Sequence, residues 1–91
     1  MIKKVTIPSI SYKKLPRGVY GFWIAPAKKD IHYPGRIEIA RGLPSKLLLE
    51  TLIHELLHEY FPDVIEEKVT TVARCLGTVL WAHKFREISE L

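Results

Sequence analysis

Pro62 divides the second half of this chain into two segments that cannot form one continuous helix. A proline inside a helix removes a backbone hydrogen bond and its ring clashes with the preceding turn. On the N-terminal side, between Leu47 and Phe61, apolar residues recur at Leu48, Leu52, Ile53, Leu56, Leu57 and Tyr60, the spacing of one helical face. On the C-terminal side, Val69, Val72, Ala73, Leu76, Val79 and Leu80 form a second stripe. Pro44 suits the first position of the leading helix. Asp63 suits the cap of the following one, with Glu66 three residues on completing a capping-box pattern. The pattern predicts helices over 44–61 and 63–88, joined by the short link Phe61–Asp63. Short links make neighbouring helices antiparallel.

The preceding residues, 1–43, read as extended. Lys4–Ile7 alternates polar and apolar side chains ahead of Pro8. Gly18–Ala25 is rich in aromatic and β-branched residues. Gly35–Ala40 places Ile37 and Ile39 on one face and Arg36 and Glu38 on the other. Turn chemistry separates these segments at Pro16-Arg17-Gly18 and at Tyr33-Pro34-Gly35-Arg36. The expected fold class is α+β: one domain over 1–91, with a sheet of about three strands followed by two antiparallel helices.

Composition narrows the function classes. The chain has 91 residues, 47% hydrophobic and 26% charged, which is a globular balance and argues against disorder. No apolar run approaches the roughly 18 residues of a membrane-spanning helix, and the N-terminal segment does not read as a secretory signal. Cys75 is the single cysteine, so intrachain disulfides are excluded and a cytoplasmic setting is expected. The net charge of +4 comes from scattered Lys and Arg, which suits solubility better than nucleic-acid binding. The chain has no Asn and no Gln; heat-labile amides are depleted in hyperthermophile proteins, so a hot source is expected from composition.

His54-Glu55-Leu56-Leu57-His58 is an HExxH motif in the middle of the first predicted helix. Residues four apart on a helix lie one above the other, so two imidazoles there converge on one metal ion. Glu55 points to a neighbouring face, where it reaches a water on that ion rather than the ion itself. Zinc lowers the pKa of bound water toward neutrality, and a carboxylate beside it takes the proton. His54 and His58 are therefore the expected zinc ligands, and Glu55 the expected general base. A shuffled chain of this composition would contain the motif about one time in seventy.

A catalytic zinc site needs a third protein ligand and an open position. The extension HExxHxxGxxH is absent, because positions 61 and 64 are Phe and Val. If the chain reverses at Pro62, Glu66 lies opposite His58, on the helical face of Val69, Ala73 and Leu76 that is turned toward the first helix. Glu66 is the expected third ligand, with Glu67 as the alternative on a more solvent-facing side.

These residues resemble a minimal zincin of the gluzincin type, the metallopeptidases with HExxH and a glutamate ligand, close in style to the minigluzincins. The matching stretch runs from Ile37 to Val69. The resemblance implies zinc, hydrolysis of peptide bonds, a peptide or protein substrate, and an extended substrate pairing with an edge strand above the cleft. By position that strand would be Gly35–Ala40. The sequence departs from the family in two places. Thr70 and Thr71 stand where gluzincins often carry an acidic residue bonded to a ligand histidine, and Glu59, expected to face solvent, follows the second histidine directly.

Other side chains read more plainly. His32, Tyr33, Tyr60 and His83 are the candidate donors to a reaction oxyanion. Phe22 and Trp23 read as sheet packing, and Cys75 as a small buried residue. Trp81 and Phe85, at i and i+4, could extend the core or form a homodimer face. Two functions follow as expectations: a zinc-dependent peptidase, or a metal-binding regulatory module that keeps the same core without useful turnover.

Overall fold

The computed structural model describes residues 7–26 and 34–85. Strand β1 spans Ser9–Lys13, β2 spans Gly21–Ile24 and β3 spans Arg36–Ala40; helix α1 spans Ser45–Tyr60 and α2 spans Glu66–Ala82. The result is a small α+β fold with a three-stranded mixed sheet of order β1-β3-β2. β1 runs parallel to β3 with Ile10 opposite Ile37, and β2 runs antiparallel to β3 with Trp23 opposite Ile37. Among the described residues no helix is long and apolar enough to cross a membrane.

Alternation in β3 decides which face of the sheet is covered. Ile37 and Ile39 point to one side, are fully buried, and pack with Leu48 of α1. Tyr12, Trp23, Leu43, Leu52 and Leu56 complete this cluster. On the opposite face Glu38 pairs with Lys13 at 2.6 Å. The helices meet through Val69 and Ala73, each 1% exposed. Gly77 is buried beside α1, where a Cβ would rest in ordinary contact 3.5 Å from Glu50 Cβ.

The structure corrects several expectations. The first described strand is Ser9–Lys13, a segment not predicted as a strand; of the predicted Lys4–Ile7, residues 4–6 lie outside the described residues. Pro8 directly precedes β1, in which Ile10 and Tyr12 alternate with Ser9, Ser11 and Lys13. Pro44 is the cap of α1 rather than its first helical residue. The helices are joined by five residues, Phe61–Ile65, rather than three. Asp63 does not cap α2: the cap is Ile65, with no side-chain hydrogen bond, so the Asp63–Glu66 capping box is not made. α2 stops at Ala82, short of the predicted residue 88, and Lys84 takes a positive φ of 68° just beyond it.

Gly35–Ala40 is not an edge either. β3 is paired on both sides, so among the described residues the sheet edge beside α1 belongs to β2. The Ala40 amide donates to the Tyr20 carbonyl at 2.8 Å, which fixes the parity of the ladder. Tyr20 and Phe22 turn their backbone groups toward β3, and Gly21 and Trp23 turn theirs outward. The turn at Pro16–Val19 that launches β2 closes through the Val19 amide on the Pro16 carbonyl at 3.0 Å, with Gly18 at φ 82°.

β2 crosses α1 closely at Gly21. A Cβ at this position would lie 2.9 Å from Thr51 Cγ2 and 3.1 Å from Glu55 Cγ. Gly21→Ala should therefore cost about 1–3 kcal/mol of stability through overpacking, and adding Thr51→Ser should recover part of the loss, as measured by urea unfolding.

Candidate metal centre

α1 places His54 and His58 one turn apart, with their Nε2 atoms 3.2 Å apart. The rings meet edge to face, with centroids 5.0 Å apart and an interplanar angle of 61°. Glu66, the first residue of α2, reaches both: its Oε1 lies 2.7 Å from His54 Nε2 and its Oε2 2.8 Å from His58 Nε2. One ligand atom from each of these three residues falls within 4.8 Å of the others, so the group could hold a metal ion. Two donors bound to zinc at 2.0–2.1 Å at a tetrahedral angle are about 3.3 Å apart, close to the observed imidazole separation. Two imidazole nitrogens and a carboxylate oxygen are also a donor set that suits zinc and its neighbours.

Glu66 thus leaves its capping role and takes a tertiary one. A carboxylate at the start of a helix can serve the helix or a partner, and here the two imidazoles hold it. Glu67, the alternative ligand, lies outside the cluster; its carbonyl accepts from the Thr71 hydroxyl at 3.0 Å.

Glu55 lies beneath β2 and is 5% exposed. Burial raises its pKa above the ordinary value of 4.5; the nearby His58 pulls it down, and the Glu66 carboxylate pushes it up. Glu55 lines the same cleft as His54, His58 and Glu66. This cleft has a volume of about 630 Å³ and lies between β2 and α2, with α1 as its floor.

Glu59 departs from its expected solvent-facing role. Its Oε1 accepts from Trp23 Nε1 at 2.8 Å and from the Gly35 amide at 2.9 Å. Trp23 in turn lies parallel to the His58 ring, with centroids 6.1 Å apart and 16° between planes. The residue after the second histidine therefore clamps the indole that flanks a candidate ligand. Gly35 permits the approach, because a Cβ there would stand 2.5 Å from Glu59 Oε1 and 2.6 Å from the Ile24 carbonyl. Trp23 is thus a wall of the site as well as a packing residue. The sequence showed an indole and an acid, but their pairing spans 36 residues and left no local trace.

The remaining candidates fall elsewhere. His32 and Tyr33 lie outside the described residues. Tyr60 and His83 are exposed and do not line the cleft. Cys75 is exposed rather than buried. Phe85 is exposed and Trp81 half-buried at the end of α2. Tyr20 and Thr51 line the cleft without having been singled out by any sequence pattern. Among the described residues no carboxylate supports the Nδ1 atom of either ligand ring.

Comparison with known proteins finds no matching family model, no similar curated protein and no similar solved structure.

Two outcomes test this geometry. In a Trp81→Phe background, where Trp23 emits alone, Glu59→Ala should shift the emission to longer wavelength as the indole is released to water, while Glu59→Gln, which keeps an acceptor, should shift it less. The second concerns pH in the metal-free protein. Because the folded state holds the Glu55 proton to higher pH than the unfolded chain does, ionised Glu55 is a cost above its folded pKa, relieved as pH falls toward 4.5. Metal-free Glu55→Gln should gain stability over the parent as pH rises, and urea unfolding across a pH series reads the difference.

Proposed function

We propose that this protein is a zinc-dependent hydrolase, a small metallopeptidase of zincin type acting on peptides or unstructured proteins. The observation that carries the reading is the convergence of His54 and His58 with Glu66 from across the Pro62 turn, with a buried carboxylate, Glu55, facing the same cleft. His54 Nε2, His58 Nε2 and one Glu66 oxygen would hold the ion. When bound, zinc supplies a Lewis acid that makes a coordinated water acidic near neutral pH. Glu55 takes the proton from the attacking water and delivers it to the leaving amine. In the metal-free protein burial already favours the protonated form of Glu55, and an acid–base group works best when its pKa approaches the working pH. The outward backbone groups of Gly21 and Trp23 offer hydrogen bonds to an extended substrate strand.

One observation favours a second reading, a metal-binding module with little turnover. Thr70 lines the cleft and Thr71 bonds back to its own helix, so neither supplies the acid that would orient a ligand imidazole.

The two readings separate on one set of variants. Zinc should bind at one per chain and, at a free concentration about 100 times its Kd, raise the melting temperature by about 10–20 °C. Glu55→Gln should keep that zinc while lowering cleavage of an unfolded protein by about 10²–10⁴-fold. Bound zinc with no cleavage by the parent would leave the module; loss of zinc from Glu55→Gln would overturn the assignment of roles.

A further inference from the structure

The cleft extends to one side of the candidate metal centre. On α1 its lining residues begin at Leu47 and end at His58, and on α2 they run from Glu66 through Thr70 to Arg74. The helices are antiparallel, so both series lead away from the ligands toward the N-terminus of α1. At the other end, Glu59 is committed to Trp23 and Gly35.

Arg74 stands at the far end of this cleft. Among the described lining residues it alone carries a permanent positive charge. Its side chain is 70% exposed, and its Nε lies 3.6 Å from Glu50 Oε1, beyond hydrogen-bond range. A guanidinium has five N–H donors in a planar fork, so this one distant neighbour leaves it able to bind a second carboxylate. The other charged groups lining the cleft are Glu50, which faces Arg74, and Glu55 and Glu66, which stand at the metal end.

Spacing and polarity then define a ligand. Arg74 lies eight residues beyond Glu66, about 12 Å along a helix axis. An extended strand advances about 3.3 Å per residue, so three to four residues span the gap. β2 starts at Gly21, over Thr51 and Glu55, and advances to Trp23 beside His58, so it runs toward the metal end and its start is turned toward the Arg74 end. A peptide parallel to β2 would bring its terminal ammonium to Arg74, which repels it; an antiparallel peptide brings its carboxylate.

Building on the hydrolase reading above, we infer that Arg74 is a specificity-determining residue that binds a peptide carboxylate about three residues C-terminal to the metal centre, so that the preferred substrate is the carboxy-terminal end of a peptide. A terminal carboxylate and an Asp side chain share this chemistry.

The test uses one N-terminally fluorescein-labelled octapeptide in three forms: free acid, carboxy-terminal amide, and the amide with Asp as its last residue. Their binding to zinc-loaded Glu55→Gln protein is read by anisotropy, alone and combined with Arg74→Gln or Arg74→Lys. The free acid should bind about tenfold more tightly than the amide. Arg74→Gln should erase that preference and Arg74→Lys keep part of it, with zinc affinity unchanged in both. An Asp amide that matches the free acid assigns recognition to any carboxylate at that place; one that matches the plain amide assigns it to the terminal group. Equal binding of all three forms, a preference that survives Arg74→Gln, or no binding of any form would overturn the inference. Cleavage by the Glu55-bearing parent is scored separately. Acid-selective, Arg74-dependent binding without cleavage removes the hydrolase but keeps the Arg74 site, whereas cleavage with no acid preference removes the Arg74 site alone.

Discussion

The contact between the Glu66 carboxylate and two imidazoles of the preceding helix is the constraint on which the candidate centre depends. Helical periodicity by itself supplies only a pair of nitrogen donors on α1. The third donor arrives because the chain reverses through Phe61–Ile65 and because α2 packs along α1 with Val69, Ala73 and Gly77 buried. At 16 and 17 residues, the two helices draw most of their stability from tertiary packing. The packing of α2 along α1, and of α1 against β2 and β3, is what places Glu66 2.7 Å from one ring and 2.8 Å from the other.

The sheet contributes the roof of the site. β3 is buried between two neighbours, and its isoleucines anchor α1 through Leu48. That anchoring leaves β2 at the edge, close over Thr51 and Glu55 at Gly21. Burial of Glu55 and the clamp of Glu59 on Trp23 are thus consequences of the same strand position. The cleft combines a dry, strand-covered carboxylate at the ligand end with an exposed cation at the other.

Much of this was legible in the sequence, for a physical reason. Signals of period 3.6 and period 2 are local, so both helices, the strands β2 and β3, and the pairing of His54 with His58 could be read directly. Glu66 could be placed opposite His58 because a proline-marked reversal leaves little freedom over so short a link. Non-local facts were hidden. Strand order depends on which edges pair, and local alternation alone does not show that β3 is central and β2 the edge. The Asp63–Glu66 capping pattern was sound local chemistry, but the two imidazoles offer Glu66 a better partner. Glu59 looked like a solvated acid because its partners, Trp23 and Gly35, are remote in sequence.

The most direct test of the central claim is the zinc-edge X-ray absorption spectrum of the zinc-loaded protein, compared with that of Glu66→Ala. The account predicts four nitrogen or oxygen neighbours at about 2.0–2.1 Å, outer-shell scattering from two imidazoles, no sulfur neighbour from Cys75, and a changed first shell in the variant. A spectrum with fewer than two imidazoles, or one unchanged by loss of the Glu66 carboxylate, would contradict it.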